Sequence, residues 1–141
     1  MRILLDTNVI LDYILVRSKH FDNATRIFEL LDSGEIEVFV ATISAINVFY
    51  TTRKEKDVKS AHEAVGFLLN AVEFCDADKN VLKTAFGLGF SDYEDAVQCA
   101  SAVVEGLDAI VTRNTKDFKN SPIPVYSPSE FLEVLRIESI S

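Results

Sequence analysis

The chain has 141 residues, 48% of them hydrophobic, with only three prolines and a net charge of −8. That length and composition suit one domain over residues 1–141 with its own core, and exclude a disordered tail. The acidic balance argues against a non-specific duplex binder, which needs basic patches, although carboxylates gathered around a cation would inflate the negative total without repelling a metal-bound substrate.

Along the chain, short apolar runs alternate with segments of helical period. Ile3-Leu4-Leu5 reads as a strand that stops at Asp6. Val9, Ile10, Tyr13 and Ile14 then recur at helical spacing, as do Ala24, Ile27, Phe28 and Leu31, with Gly34 as the stop. Residues 37–41 read as a strand and 44–53 as a helix capped by Ser44. Ala61, Ala64, Val65, Leu68 and Leu69 mark another helix face. A strand is expected over 71–75, then a helix from about 79 to 86 that ends near Gly87 and Gly89. The clearest helix is 91–106, with Ser91 and Glu94 as a capping box and Gly106 as its stop. Strands follow at 109–112 and 125–126. A helix over 127–135 closes the order, with a second capping box and Pro128 at its first helical position.

This alternation predicts an α/β fold: a central, mainly parallel sheet with helices on both faces. In such a sheet ligands bind outside the carboxyl ends of the strands. Asp6 stands at such an end. Asp92 and Asp95, three residues apart, share a helix face, and Asp117 follows the strand at 109–112. Carboxylates gathered on one rim repel one another unless they take up protons or meet a counter-charge. Magnesium or manganese, both suited to oxygen ligands, is the ordinary remedy. Plainer readings stand beside this one. Asp92 suits the positive end of a helix. Asn8, Thr112 and Asn114 suit local hydrogen bonds. Asp12, Asp22, Asp32, Asp57, Asp76 and Asp78 read as exposed or turn residues.

Other chemistries find less support. His20 and His62 have no partners at catalytic or metal spacing, and no Ser-His-Asp triad or glycine-rich phosphate loop is present. A phospho-aspartyl enzyme would carry a second aspartate two residues after Asp6, where Asn8 stands. Cys75 and Cys99 lack metal-ligand spacing and read as buried free thiols. No apolar run approaches the roughly 20 residues that cross a bilayer, and the N-terminus lacks a secretory pattern. A reducing, cytoplasmic setting and no membrane association are expected.

The segments LLDTNVILDYIL (4–15) and SDYEDAVQCASAVVEGLDAIVTRNTKDF (91–118), in this order and at this chain length, resemble the PIN domain family. The resemblance implies a three-layer α/β/α fold and a magnesium- or manganese-dependent ribonuclease, in many members the toxin of a toxin–antitoxin pair. By position, Asp6, Asp95 and Asp117 look like the metal-binding acids and Asp92 like an additional catalytic acid. Asn8, Thr112 and Asn114 resemble the polar residues that support them. One departure stands out. Where the family usually places a glutamate, this chain has Asn47, which offers a neutral oxygen but neither charge nor basicity.

The expected function is therefore a divalent-metal-dependent endoribonuclease that cleaves RNA with a metal-activated water, acting as a toxin. The alternative is a weakened or inactive PIN-fold module that binds RNA or protein. Arg113, Lys116 and Lys119, beside Asp117, are the expected RNA-binding cations. Arg53, Lys54, Lys56 and Lys59 read first as solvated surface. The expected partners are a single-stranded or looped RNA, an antitoxin that covers the cleft, and a second copy of the chain. For the homodimer, Phe21, Ile27, Phe28 and Leu31 are the expected face.

Overall fold

The computed structural model describes residues 1–140. β1 (Arg2–Leu5) runs into α1 (Thr7–Ile14), and α2 (Phe21–Asp32) leads to β2 (Glu37–Ala41). α3 (Thr42–Glu55) and α4 (Val58–Ala71) follow, then β3 (Glu73–Cys75). α5 (Lys79–Gly87) and α6 (Tyr93–Glu105) precede β4 (Ala109–Val111). A 3-10 turn (Thr115–Phe118), β5 (Val125–Tyr126) and α7 (Pro128–Ile140) complete the order.

The five strands pair in the order β3-β2-β1-β4-β5, and every pair is parallel. The chain steps outward from β1 through β2 to β3, then returns to place β4 on the other side of β1. The reversal therefore falls between β1 and β4, where the diverging connections leave a crevice at the strand carboxyl ends.

The strands are continuous apolar runs because both sheet faces are covered. Side chains alternate between those faces. Ile3, Leu5, Val38, Val40 and Val111 pack under α1, α2, α4 and α7, where Phe131 is fully buried. Leu4, Phe39 and Ile110 face the opposite way, against Cys99 and Ala102 of α6 and against Phe118. This is the expected three-layer α/β/α arrangement. Cys75 and Cys99 are buried and unpaired. No helix among the described residues is long and apolar enough to cross a membrane.

Several local expectations are corrected. α3 begins at Thr42, directly from β2, so Ser44 lies inside the helix and is fully buried instead of capping it. α6 is capped by Asp92, whose side chain accepts the Asp95 N–H at 2.9 Å. Ser91 therefore lies outside the helix, and Glu94 is released from the expected capping box. The box at Ser127 and Glu130 does form, but its helix continues to Ile140. Gly106 ends α6 at φ +73°, a conformation open to glycine at little cost. Of the expected dimer face, Ile27 and Phe28 are core, while Phe21 and Leu31 are half-buried. Ile27 and Phe28 are 0% and 4% exposed, and Phe28 stacks on Tyr13 at 4.5 Å. The sheet alone does not absorb these side chains; α1 and α4 cover the remainder, with Phe67 tilted against Phe28.

Asp12 also departs from expectation. It is fully buried on α1, where Arg113 Nε donates to it at 2.6 Å and Arg17 Nη1 stands 3.7 Å away. This pair fastens α1 to the loop that leaves β4. Removing one partner of a buried ion pair strands the other without compensation. Asp12→Ala is expected to lower the unfolding free energy by about 3 kcal/mol in urea titrations. A loss within experimental error would show that the pair is not a structural fastening.

Candidate active site

The site begins with the last ladder bond of β1. The Asp6 N–H donates to the Val111 carbonyl at 3.0 Å, which sets Asp6 beside the end of β4. There Thr112 Oγ1 donates to Asp6 Oδ2 at 2.6 Å and accepts the Asn114 N–H at 3.0 Å. The Arg113 N–H reaches Asn8 Oδ1 at 3.5 Å. Behind Asp6 runs a second chain of polar groups. The Thr7 hydroxyl donates to Ser44 Oγ at 2.8 Å, and Ser44 donates to Gln98 Oε1 at 3.4 Å. With its oxygen thus engaged, Gln98 turns its amide nitrogen to Asp6. Asp6 is only 4% exposed. Burial raises its carboxyl above the ordinary value, while hydrogen bonds from Thr112 and Gln98 pull it partly back.

The first turn of α6 and the 3-10 turn supply the remaining acids. Asp92, Asp95 and Asp117 line a cleft of about 420 Å³ together with Phe90, Lys116 and Lys119. Asp6 does not line this cleft, yet it is close enough to repel Asp95. The Asp95 carboxyl is pushed up to about 7, first by burial and then by the charges of Asp6, Asp92, Asp117 and Glu94. The acids named from sequence are thus gathered from three separate parts of the chain.

Other assignments come out differently. Arg113 does not line the cleft, because its guanidinium is committed to Asp12. Lys116 and Lys119 remain as its cations. Asn47 does not turn its side chain to the aspartates directly; its amide donates to Glu94 Oε1. Glu94 and Gln98 are the site residues that sequence reasoning passed over. Gln98 follows Asp95 by three residues on the same helix, so its position on that face was a readable signal.

The donor set suits a hard dication. Every group is an oxygen ligand, and the suppressed ionisation of Asp95 is the condition that a positive charge relieves. Among the described residues, no three His, Cys, Asp or Glu side chains stand close enough to enclose a metal ion between them. Magnesium, which keeps several waters and uses one or two carboxylates, requires no such enclosure.

A PIN domain family model matches residues 2–116. No curated protein gives a significant match. Solved structures do. The VapBC2 complex of Rickettsia felis, bound to a DNA fragment from its promoter, is 21% identical with a TM-score of 0.71, over 90% of this chain and 98% of that one. DNA-bound VapBC from Salmonella typhimurium is 20% identical with a TM-score of 0.71, over 91% and 98%. VapC20 of Mycobacterium tuberculosis, a toxin that cleaves the sarcin-ricin loop, is 15% identical with a TM-score of 0.63, over 77% and 86%. At these identities the likeness is one of fold.

The raised Asp95 carboxyl has a consequence for stability. The folded chain holds this proton up to about pH 7, while the unfolded chain releases it in the ordinary carboxylate range. Between those values the native state binds more protons, so stability falls as pH rises and levels off above about 7. Asp95→Asn removes this term. In metal-free buffer at pH 8 it is expected to stabilise the fold by roughly 1 kcal/mol, after discounting for solvent screening of a half-exposed group. Melting curves from pH 4 to 8 should flatten correspondingly; an unchanged slope would refute the assignment.

Proposed function

Because the chain belongs to the PIN domain family, we propose that it is a magnesium- or manganese-dependent endoribonuclease and the toxin of a toxin–antitoxin pair. The observation that carries this reading is the gathering of Asp6, Asp92, Asp95 and Asp117 at the sheet's reversal point, with Lys116 and Lys119 on the same cleft. Asp6, Asp95 and Asp117 would hold the cation, one or two of them directly and the rest through its waters, with Asp92 beside them. Once bound, the cation supplies positive charge against the phosphodiester and acidifies a water that can attack it.

The chain's own groups do the positioning. Thr112 and Gln98 orient the Asp6 carboxylate, and Thr112 is itself held by the backbone of Asn114. Lys116 and Lys119 provide charges for the phosphates on either side of the reacting one. A narrow acidic cleft favours unstacked RNA, whose backbone can bend into it, over a rigid duplex. The toxin role draws support from the VapBC complexes of like fold, and RNA as substrate from the sarcin-ricin loop cleaving toxin. An antitoxin would act by covering the cleft.

Asp6→Asn keeps the shape and the Thr112 contact but removes the charge. It is expected to reduce cleavage of a single-stranded RNA in manganese buffer by at least about 100-fold with unchanged circular dichroism. Full activity in that variant would rule the mechanism out.

A second reading is a PIN-fold module that binds RNA or protein without cutting it. Asn47, neutral where the family usually carries a glutamate, and the lack of a ready three-ligand cluster among the described residues favour it. Asn47→Glu separates the two. A large gain of cleavage from a silent parent supports the binding module, and an active parent little changed by the substitution supports the nuclease.

A further inference from the structure

Arg113 stands between two residues that serve the acids. Before it, Thr112 donates to Asp6 Oδ2; after it, Asn114 opens the 3-10 turn that carries Asp117. The Asn114 carbonyl accepts the Asp117 N–H at 2.9 Å, so the segment 112–114 governs an acid at each end. Its last bond to the sheet is the Thr112 N–H on the Tyr126 carbonyl, at 2.9 Å. Beyond that bond, Arg113 ties the segment to α1. Its N–H reaches Asn8 Oδ1 at 3.5 Å, and its Nε donates to Asp12 Oδ2 at 2.6 Å. Asn8 and Asp12 are four apart on α1, so their acceptors share one face. One arginine thus spans a turn of the helix, backbone at one end and guanidinium at the other. The same helix starts from Asp6, whose carbonyl accepts the Val9 N–H at 3.1 Å. Asp6, Asn8 and Asp12 therefore belong to one rigid piece.

The chemistry of the anchor is informative. Apolar residues of similar volume usually stabilise a core as well as a buried ion pair does, and the best-attested use of such a pair is to fix one geometry. Asp12 is 0% exposed, and Arg17 closes it in from the α3 side, with Nη1 3.7 Å from Asp12 and Nη2 3.3 Å from Glu55. Resting on the nuclease reading above, we propose that Arg113, anchored by Asp12, is a positioning residue for the cation site. By stapling the 112–114 segment to α1 it fixes Thr112 against Asp6 and fixes the turn that presents Asp117. It acts through these groups and not by touching RNA. Lysine would keep the charge but lacks the planar fork that sets Nε–H on Asp12.

The test uses the whole chain, well below its melting temperature, with two variants. Arg113→Lys keeps the charge. The double variant Asp12→Leu, Arg113→Met removes both partners together, strands neither, and is expected to fold even where the single substitution does not. In both, the backbone 15N order parameters at Arg113 and Asn114 should fall from about 0.85 to below about 0.6. Cleavage of a single-stranded RNA should lose about tenfold in kcat with KM within about twofold of the parent. A role in fold stability alone would lower melting and leave the native order parameters and kcat in place, which overturns the inference. A raised KM with unchanged kcat makes Arg113 an RNA contact and also overturns it. An active parent whose kcat is unmoved in both variants overturns this inference and leaves the nuclease reading standing. A parent that cleaves nothing overturns both.

Discussion

The Thr112 hydroxyl meets Asp6 at 2.6 Å across the seam where the sheet reverses direction. A carboxylate buried this deeply is tolerable only when its oxygens are partnered. Here the partners come from β4 and α6, which lie about a hundred residues further along the chain. The bond therefore forms only when β1 and β4 are paired in register, Leu5 opposite Val111. Fold and site are specified by one event. The same seam places the first turn of α6 and the 3-10 turn beside Asp6, which explains why the acids crowd together.

Crowding makes the site electrostatically unfinished. Asp95, pushed up first by burial and then by its neighbours' charges, holds its proton to about pH 7. Asp12, fully buried, faces Arg113 and Arg17 and so has its compensation within the chain. The two buried aspartates, Asp6 and Asp12, thus meet opposite fates. One is closed off by arginines as a structural fastening. The other stands among like charges, a condition to which a cation or a basic partner side chain is complementary.

Much of this was legible before any coordinates. Strands buried on both faces read as unbroken apolar runs, and Asp6, Asp95 and Asp117 stood at strand ends or helix starts, where an α/β sheet gathers ligands. What the sequence concealed was decided by choices of one or two residues. Ser91 and Asp92 are both competent caps, and only backbone geometry shows that Asp92 accepts the Asp95 N–H. That choice frees Glu94. Ser44 looked like a cap because α3 was expected to start after a loop, whereas the chain enters it straight from β2. Arg113 sits in a basic stretch beside Asp117, and nothing in its own neighbourhood announces Asp12, a hundred residues earlier, as its partner. The aromatic residues of α2 exceeded one sheet face, and helix-on-helix packing against α1 and α4 covers Phe28.

Asp92 has a double duty that constrains how the site can work. One of its oxygens already closes the start of α6 through the N–H of Asp95, its fellow acid. Whatever draws that oxygen away from the N–H opens the cap, and fraying of the turn would carry Asp95 and Glu94 with it. Occupancy and local backbone order are thereby coupled. A ligand that leaves the Asp95 N–H on Oδ1 of Asp92 keeps the platform intact, and one that pulls Oδ1 away loosens the floor on which its other contacts stand.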